Sequence, residues 1–284
     1  MVERKTKQAL LSPFSIDSAS VWQGTSSAIR KAILLESFRA HVGHIGSALC
    51  VVEILEALYS KILQISSPKD PDRDRFILSK GHAALALYIC LYFRGWITAE
   101  QLSTFCGNGT MFGVHPEPGA PGIDFGTGSL GQGLAYAVGA ALAGRWQKSN
   151  RRVFVLVSDA ECNEGSTWEA VMFAAHHKLS HLCVIVDLNE QQAFGYTKNI
   201  INIPHMKEVW QSFNWDVYEV DGHNLPQLID TMSNLAYENG APHVILAKTV
   251  FGKGVSFMEK QIKWHYNPLS EAELQQAVSE ITKS

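Results

Sequence analysis

With 284 residues, 46% of them hydrophobic, the chain is long enough to bury a core as one large domain or two small ones, which sets disorder aside. Its 24 Lys and Arg face 27 Asp and Glu without a block of like charge, so neither a nucleic-acid groove nor a polybasic membrane patch is expected. The partners in prospect are small molecules or another protein, and five scattered cysteines (Cys50, Cys90, Cys106, Cys162 and Cys183) with no C-x-x-C pair fit a reducing cytoplasm.

Residues 1–20 read as a polar leader without the apolar core of a signal peptide, and 21–284 as one domain. Ile29, Ile33, Leu34 and Phe38 recur at helical spacing and predict a helix from Ser26 to His41. The Gly-rich corner His41 to Gly46 breaks it, and a second helix is expected from about Ala48 to Leu63. Arg75 to Ser79 is a short apolar strand that enters Lys80-Gly-His82. An apolar helix continues from there to Phe93, in a run, Ala83 to Phe93, too short to span a bilayer. Thr98 with Gln101 forms a capping pattern, and residues 107–133, dense in Gly and Pro, predict a long loop layer that brings backbone close to a ligand.

An Ala/Gly-rich helix to Trp146 follows. Then come a β-branched run from Arg152 to Val157, a helix from Glu164 to Lys178 and a second buried-type strand from Leu182 to Val186, which together make a β-α-β unit. Strands are predicted at Val217 to Val220 and Val244 to Ala247 around a helix from Leu225 to Asn239, and Ser270 with Glu273 caps a terminal helix. The alternation predicts an α/β fold of three layers with a mostly parallel sheet, whose ligands sit beyond the carboxyl ends of the strands.

Two such strand ends carry chemistry. Val157-Ser-Asp-Ala-Glu-Cys-Asn-Glu-Gly165 puts Asp159 where a strand turns into a helix, and Asp187-Leu-Asn-Glu-Gln-Gln-Ala-Phe-Gly195 puts Asn189 at the neighbouring end. A hard cation such as magnesium takes a few protein oxygens and completes its shell with phosphate oxygens and water, a role this pair suits. Taken alone, the two segments read more readily as a helix cap and a loop-former. Any lone histidine is more often packed or solvated than functional. His176-His177-Lys178 sits at a helix end, where cations complement the dipole, and reads as structural.

The spacing from Asp159 to Asn189 resembles the thiamine-diphosphate signature of the transketolase family. Other segments in family order carry the resemblance further: Val42-Gly-His-Ile-Gly46, Leu78-Ser-Lys-Gly-His82, Val114-His-Pro-Glu117, Gly126-Thr-Gly-Ser-Leu-Gly-Gln-Gly133, Lys248-Thr-Val-Phe-Gly-Lys-Gly254 and Trp264-His265. Together they cover roughly Gln23 to His265.

The resemblance implies a thiamine-diphosphate-binding fold with magnesium held by Asp159, Asn189 and the main-chain oxygen of Gln191. His82, His115, Gly128, Ser129, Leu130, Asp159, Ala160, Glu161, Asn189 and His265 match cofactor contacts. His44, His82, His115 and His265 match the histidines that move protons and face the sugar, and Glu164 matches a glutamate at the contact between active-site halves. The implied reaction is transfer of a two-carbon ketol unit from a ketose, usually phosphorylated, to an aldose. Three departures bear on it. Ser158 and Ala160 replace the glycines of Gly-Asp-Gly, Tyr266 stands where the family has glycine and is expected to reshape the sugar side, and the sequence stops at Ser284, short of the pyrimidine-binding domain. A split enzyme is therefore expected, with a separate C-terminal subunit in a dimer of heterodimers. The α subunit of a thiamine-dependent 2-oxo acid dehydrogenase and an inactive cofactor-binding scaffold are the alternatives.

Overall fold

Valines, isoleucines and leucines dominate the two strongest strands, β2 (Val153–Ser158) and β3 (Leu182–Leu188), because both faces of the sheet are covered. The computed structural model describes Trp22 and residues 24–283, so the leader expected over 1–20 lies outside the described residues. With β1 (Arg75–Leu78), β6 (Asp216–Asp221) and β7 (His243–Lys248) these strands form a five-stranded sheet in the order β1-β2-β3-β7-β6, and every neighbouring pair is parallel. Strand residues alternate between two cores, as a period of two requires. Phe154, Leu156, Cys183 and Ile185 face the layer of α1 (Ser26–Ala40), α2 (Ile45–Leu49), α3 (Val52–Ala57), α4 (Ala84–Phe93), α10 (Leu225–Ser233) and α11 (Glu271–Lys283). Val153, Val155, Val157 and Val184 face α6 (Gln132–Trp146), α7 (Gly165–His176) and α9 (Met206–Ser212).

The three-layer architecture and the parallel sheet are as the sequence predicts. Both capping patterns are also present, at the head of α5 (Ala99–Leu102) from Thr98 and Gln101, and before α11 from Ser270 and Glu273. The helix expected from Ala48 to Leu63 is instead broken. It starts at Ile45, opens where Val51 leaves helical geometry (φ −106°, ψ 9°), and after α3 ends in a π turn, Leu58–Ile62. At the break the Cys50 thiol points to Asp187 at 3.1 Å. The helix predicted to Asn239 ends at Ser233, where the Asn234 side chain donates back to the Asp230 carbonyl at 2.9 Å, and a separate 3-10 turn covers Tyr237–Asn239. Residues 191–212 add elements the sequence pattern does not reveal: the antiparallel hairpin of β4 (Gln191–Gln192) and β5 (Gly195–Tyr196), α8 (Thr197–Ile200) and α9. Among the described residues no helix is long and apolar enough to cross a membrane.

Candidate active site

The parallel register brings the carboxyl ends of β1, β2, β3 and β7 side by side, so the residues that follow each strand converge. Asp159 and Asn189 meet there. The Asp159 carboxylate accepts from the Ala160 N–H and the Glu190 N–H, each at 2.8 Å. Glu190 reaches it because the chain turns through a left-handed conformation (φ 61°) between Asn189 and Gln191. The Asn189 amide donates to Asp187 at 2.8 Å, while its oxygen accepts from the Gln191 N–H at 2.9 Å. Asp159 and Asn189 line a cavity of about 340 Å³ that is also bordered by Met206, Lys248 and Lys260.

Burial and the neighbouring charge of Asp187 push the Asp159 carboxyl up to about 7, against the pull of its two backbone donors. A buried carboxylate in this state gains most from a cation beside it. Both side-chain amide atoms of Gln191 are buried without a partner, and so is Glu161 Oε2. Among the described residues no three His, Cys, Asp or Glu side chains gather as a metal cage. The donor set of one carboxylate, one amide and a main-chain carbonyl therefore fits a divalent ion that arrives with phosphate oxygens, rather than one held by protein alone. Ala160 turns its N–H onto Asp159, so in this arrangement that donor is already engaged.

Three of the four singled-out histidines form a triangle. Ring centroids lie 5.3 Å apart for His44 and His82, 5.2 Å for His44 and His265, and 5.4 Å for His82 and His265. His44 precedes α2 in a left-handed conformation, His82 sits in the 3-10 turn Gly81–Ala83 after β1, and His265 ends the 3-10 turn Ile262–His265. Phe251, from the loop after β7, stacks on His265 at 5.9 Å. That contact needs Gly46, since a Cβ there would lie 2.1 Å from the Phe251 ring. His115 stands on the adjoining loop against Gly128, where a Cβ would come 3.0 Å from its ring, and its carbonyl accepts from the Tyr88 hydroxyl at 2.9 Å. Ser129 is exposed and Leu130 half-buried on the same loop.

Burial, with the charges of neighbouring imidazoles and Lys80, lowers His44 and His82 and brings His265 down to about 4. At neutral pH the triangle is thus uncharged, and Nδ1 of His44 and of His265 is buried without a partner. The linkage has a sign. The unfolded chain takes up a proton at His265 below its ordinary 6.5 that the folded chain refuses until about 4, so stability falls as the pH falls through that window. In urea unfolding of the ligand-free chain, His265→Gln is expected to remove about 3 kcal/mol of the loss between pH 7 and 4. An unchanged pH slope in the variant would contradict this.

Beneath the site lies an ion pair that no sequence motif announces. Lys80 and Asp187 are both fully buried and joined by a short bond, with Thr249 also donating to Asp187 and Cys50 at 3.1 Å. Desolvation opposes both charges, yet the pair holds Lys80 above and Asp187 below its ordinary range. Asp187 in turn fixes the Asn189 amide, so the oxygen of Asn189 is aimed by a salt bridge. The available signal is a charged residue close after each apolar run. Lys80→Met, which strands the carboxylate in the core, is expected to cost about 3–5 kcal/mol in denaturant unfolding. A loss below about 1 kcal/mol would show that the pair is dispensable.

Glu161, expected among cofactor contacts, is fully buried behind the corner. It accepts from Ser79 Oγ at 2.5 Å and the Gly131 N–H at 2.8 Å, tying β1 to the start of α6. Glu164 is exposed at the head of α7, where a Cβ on Gly131 would meet it at 2.7 Å.

Residues 23–282 match the family described as transketolase, thiamine diphosphate binding domain. The chain is 37% identical over 256 residues to an apulose-4-phosphate transketolase subunit from Phocaeicola vulgatus, covering 89% of this chain and 91% of that one. It is 38% identical to the 6-deoxy-6-sulfo-D-fructose transketolase subunit SqwG of a Clostridium species, covering 92% and 96% respectively. Among solved structures, the transketolase of Campylobacter jejuni superposes with a TM-score of 0.83 at 28% identity over 90% of this chain, which spans only 42% of that longer one. With a family match across nearly its whole length and near-full-length relatives that are themselves transketolase subunits, this chain belongs to the transketolase family and carries its thiamine-diphosphate-binding domain.

Proposed function

We propose that the chain is the diphosphate-binding subunit of a two-subunit transketolase, which moves a two-carbon ketol unit from a ketose, usually phosphorylated, to an aldose. The observation that carries this reading is the triangle of neutral imidazoles, one of them, His82, just after β1 of the same sheet whose neighbouring strand ends carry Asp159 and Asn189. Asp159, Asn189 and the Gln191 carbonyl would hold magnesium with the diphosphate, and His82, His115 and the Gly128 to Leu130 backbone would flank the cofactor. When bound, thiamine diphosphate supplies the electron sink that lets the carbon–carbon bond break. His44 and His265, neutral at pH 7, are suited to donate to a sugar hydroxyl or accept its proton.

The partner is a separate polypeptide carrying the pyrimidine-binding half, in line with relatives that are named as subunits. Met172 and Phe173 on α7 and Tyr136 and Trp146 on α6 are exposed apolar groups, between 39% and 74% accessible, that a docked partner would cover. Glu164, exposed on the same pair of helices, is placed to reach across such a contact. A dimer of such pairs in the cytoplasm is the expected assembly. The test is chemical: the two-subunit enzyme should transfer the ketol unit between sugars and should not decarboxylate 2-oxo acids with an artificial electron acceptor. Decarboxylation without ketol transfer would move the chain to the 2-oxo acid dehydrogenase class.

A further inference from the structure

Tyr266 stands against the imidazole triangle in a contact the proposed chemistry does not use. Its ring lies 5.1 Å from the His265 ring, edge to face, and is 55% exposed. The hydroxyl donates to the Ala193 carbonyl at 2.6 Å, so the side chain runs from the imidazole triangle to the hairpin of β4 and β5, which follows directly from Asn189. Its backbone is fixed as well. The Tyr266 N–H donates to Lys263 O at 3.2 Å, and the Tyr266 carbonyl packs so closely on Gly43 that a Cβ there would lie 2.3 Å away. The ring is therefore a half-exposed wall beside His265, held at its hydroxyl and at its backbone.

We propose that Tyr266 is the specificity-determining residue of the sugar side, a clasp that limits the length of ketose the site accepts and holds the hairpin in place. This rests on the transketolase reading, which sets the sugar beside His265. An anchored aromatic ring excludes the far carbons of a long ketose, whereas its exposed face is compatible with the C–H edge of a short one. The hydroxyl bond acts on the second part of the proposal, because it joins the tip of a two-residue ladder whose other side-chain ties are Gln192 donating to Asn163 at 3.3 Å and Tyr196 donating to the Lys260 carbonyl at 3.1 Å.

The experiment uses the assembled two-subunit enzyme with Tyr266→Gly and Tyr266→Phe. With the wall removed, Tyr266→Gly should raise the ratio of kcat/KM for seven-carbon over five-carbon ketose phosphates by about tenfold or more. Tyr266→Phe keeps the wall and loses the anchor, so the ratio should stay within about twofold while amide exchange of residues 191–196 quickens. An unchanged ratio in Tyr266→Gly overturns the wall, and unchanged exchange in both variants overturns the anchor. Absence of ketol transfer by the wild-type pair with these ketoses and with branched and sulfonated ones would count against the transketolase reading itself. Hydrogen exchange, which needs no turnover, would still decide the clasp.

Discussion

Replacing Asp159 with alanine is expected to abolish magnesium-dependent binding of thiamine diphosphate, with affinity falling by more than about a hundredfold. The physical reason is the composition of the corner. Asp159 is the one carboxylate assigned to the ion, and the other two donors are neutral oxygens, so its loss leaves a divalent cation and two anionic phosphates without a protein charge. The fold should survive. Asp159 lies at a strand end with 8% of its surface accessible, and its raised titration shows that burial already works against its charge. Calorimetry of the assembled enzyme with and without magnesium measures the effect. Unchanged affinity, or a loss that persists when magnesium is withheld from both proteins, would remove Asp159 from the metal site.

Replacing His265 with alanine should act on turnover instead. The ring belongs to the imidazole triangle and is backed by Phe251, away from the Asp159 corner in the hydrogen-bond pattern. Loss of a group that donates to or accepts from the reacting sugar typically slows a reaction by about a hundredfold to ten-thousandfold. Cofactor affinity, carried by the metal corner, should shift by less than about fivefold. Steady-state kinetics at saturating cofactor, set beside calorimetry, separates the two quantities. A variant that loses cofactor binding but turns over normally at saturation would reverse the roles of the two clusters.

How far the sequence can be read follows from where its signals are local. β2 and β3 are legible because a strand covered on both faces must be apolar throughout, and Asp159 and Asn189 stand out as polar groups at the ends of those runs. The histidines are legible through motif order, and the structure brings His44, His82 and His265 within ring contact although they are far apart in sequence. The break at Cys50 and Val51 is hidden because residues 45–59 are buried on every side, Glu53 and Glu56 included, so no face changes at the break. The Lys80–Asp187 pair is hidden for another reason. It joins positions 107 residues apart, and neither motif alone says that the other strand end lies alongside. The Tyr266 departure is visible, but its bond to Ala193 depends on a hairpin whose sequence, Gln191 to Tyr196, has no strand periodicity.

The central claim is that this chain holds one end of the cofactor and depends on a second polypeptide for the other. In this account Asp159, Asn189 and the metal would position the diphosphate, and relatives named as transketolase subunits point to a second polypeptide for the aminopyrimidine. The direct measurement is a ketose-to-aldose assay, with size-exclusion chromatography, on this chain alone, on its pyrimidine-domain partner alone, and on their mixture with thiamine diphosphate and magnesium. Each protein alone should be inactive, and the mixture should form a larger complex that transfers the ketol unit. Full turnover by a rigorously purified preparation of this chain alone would contradict the account.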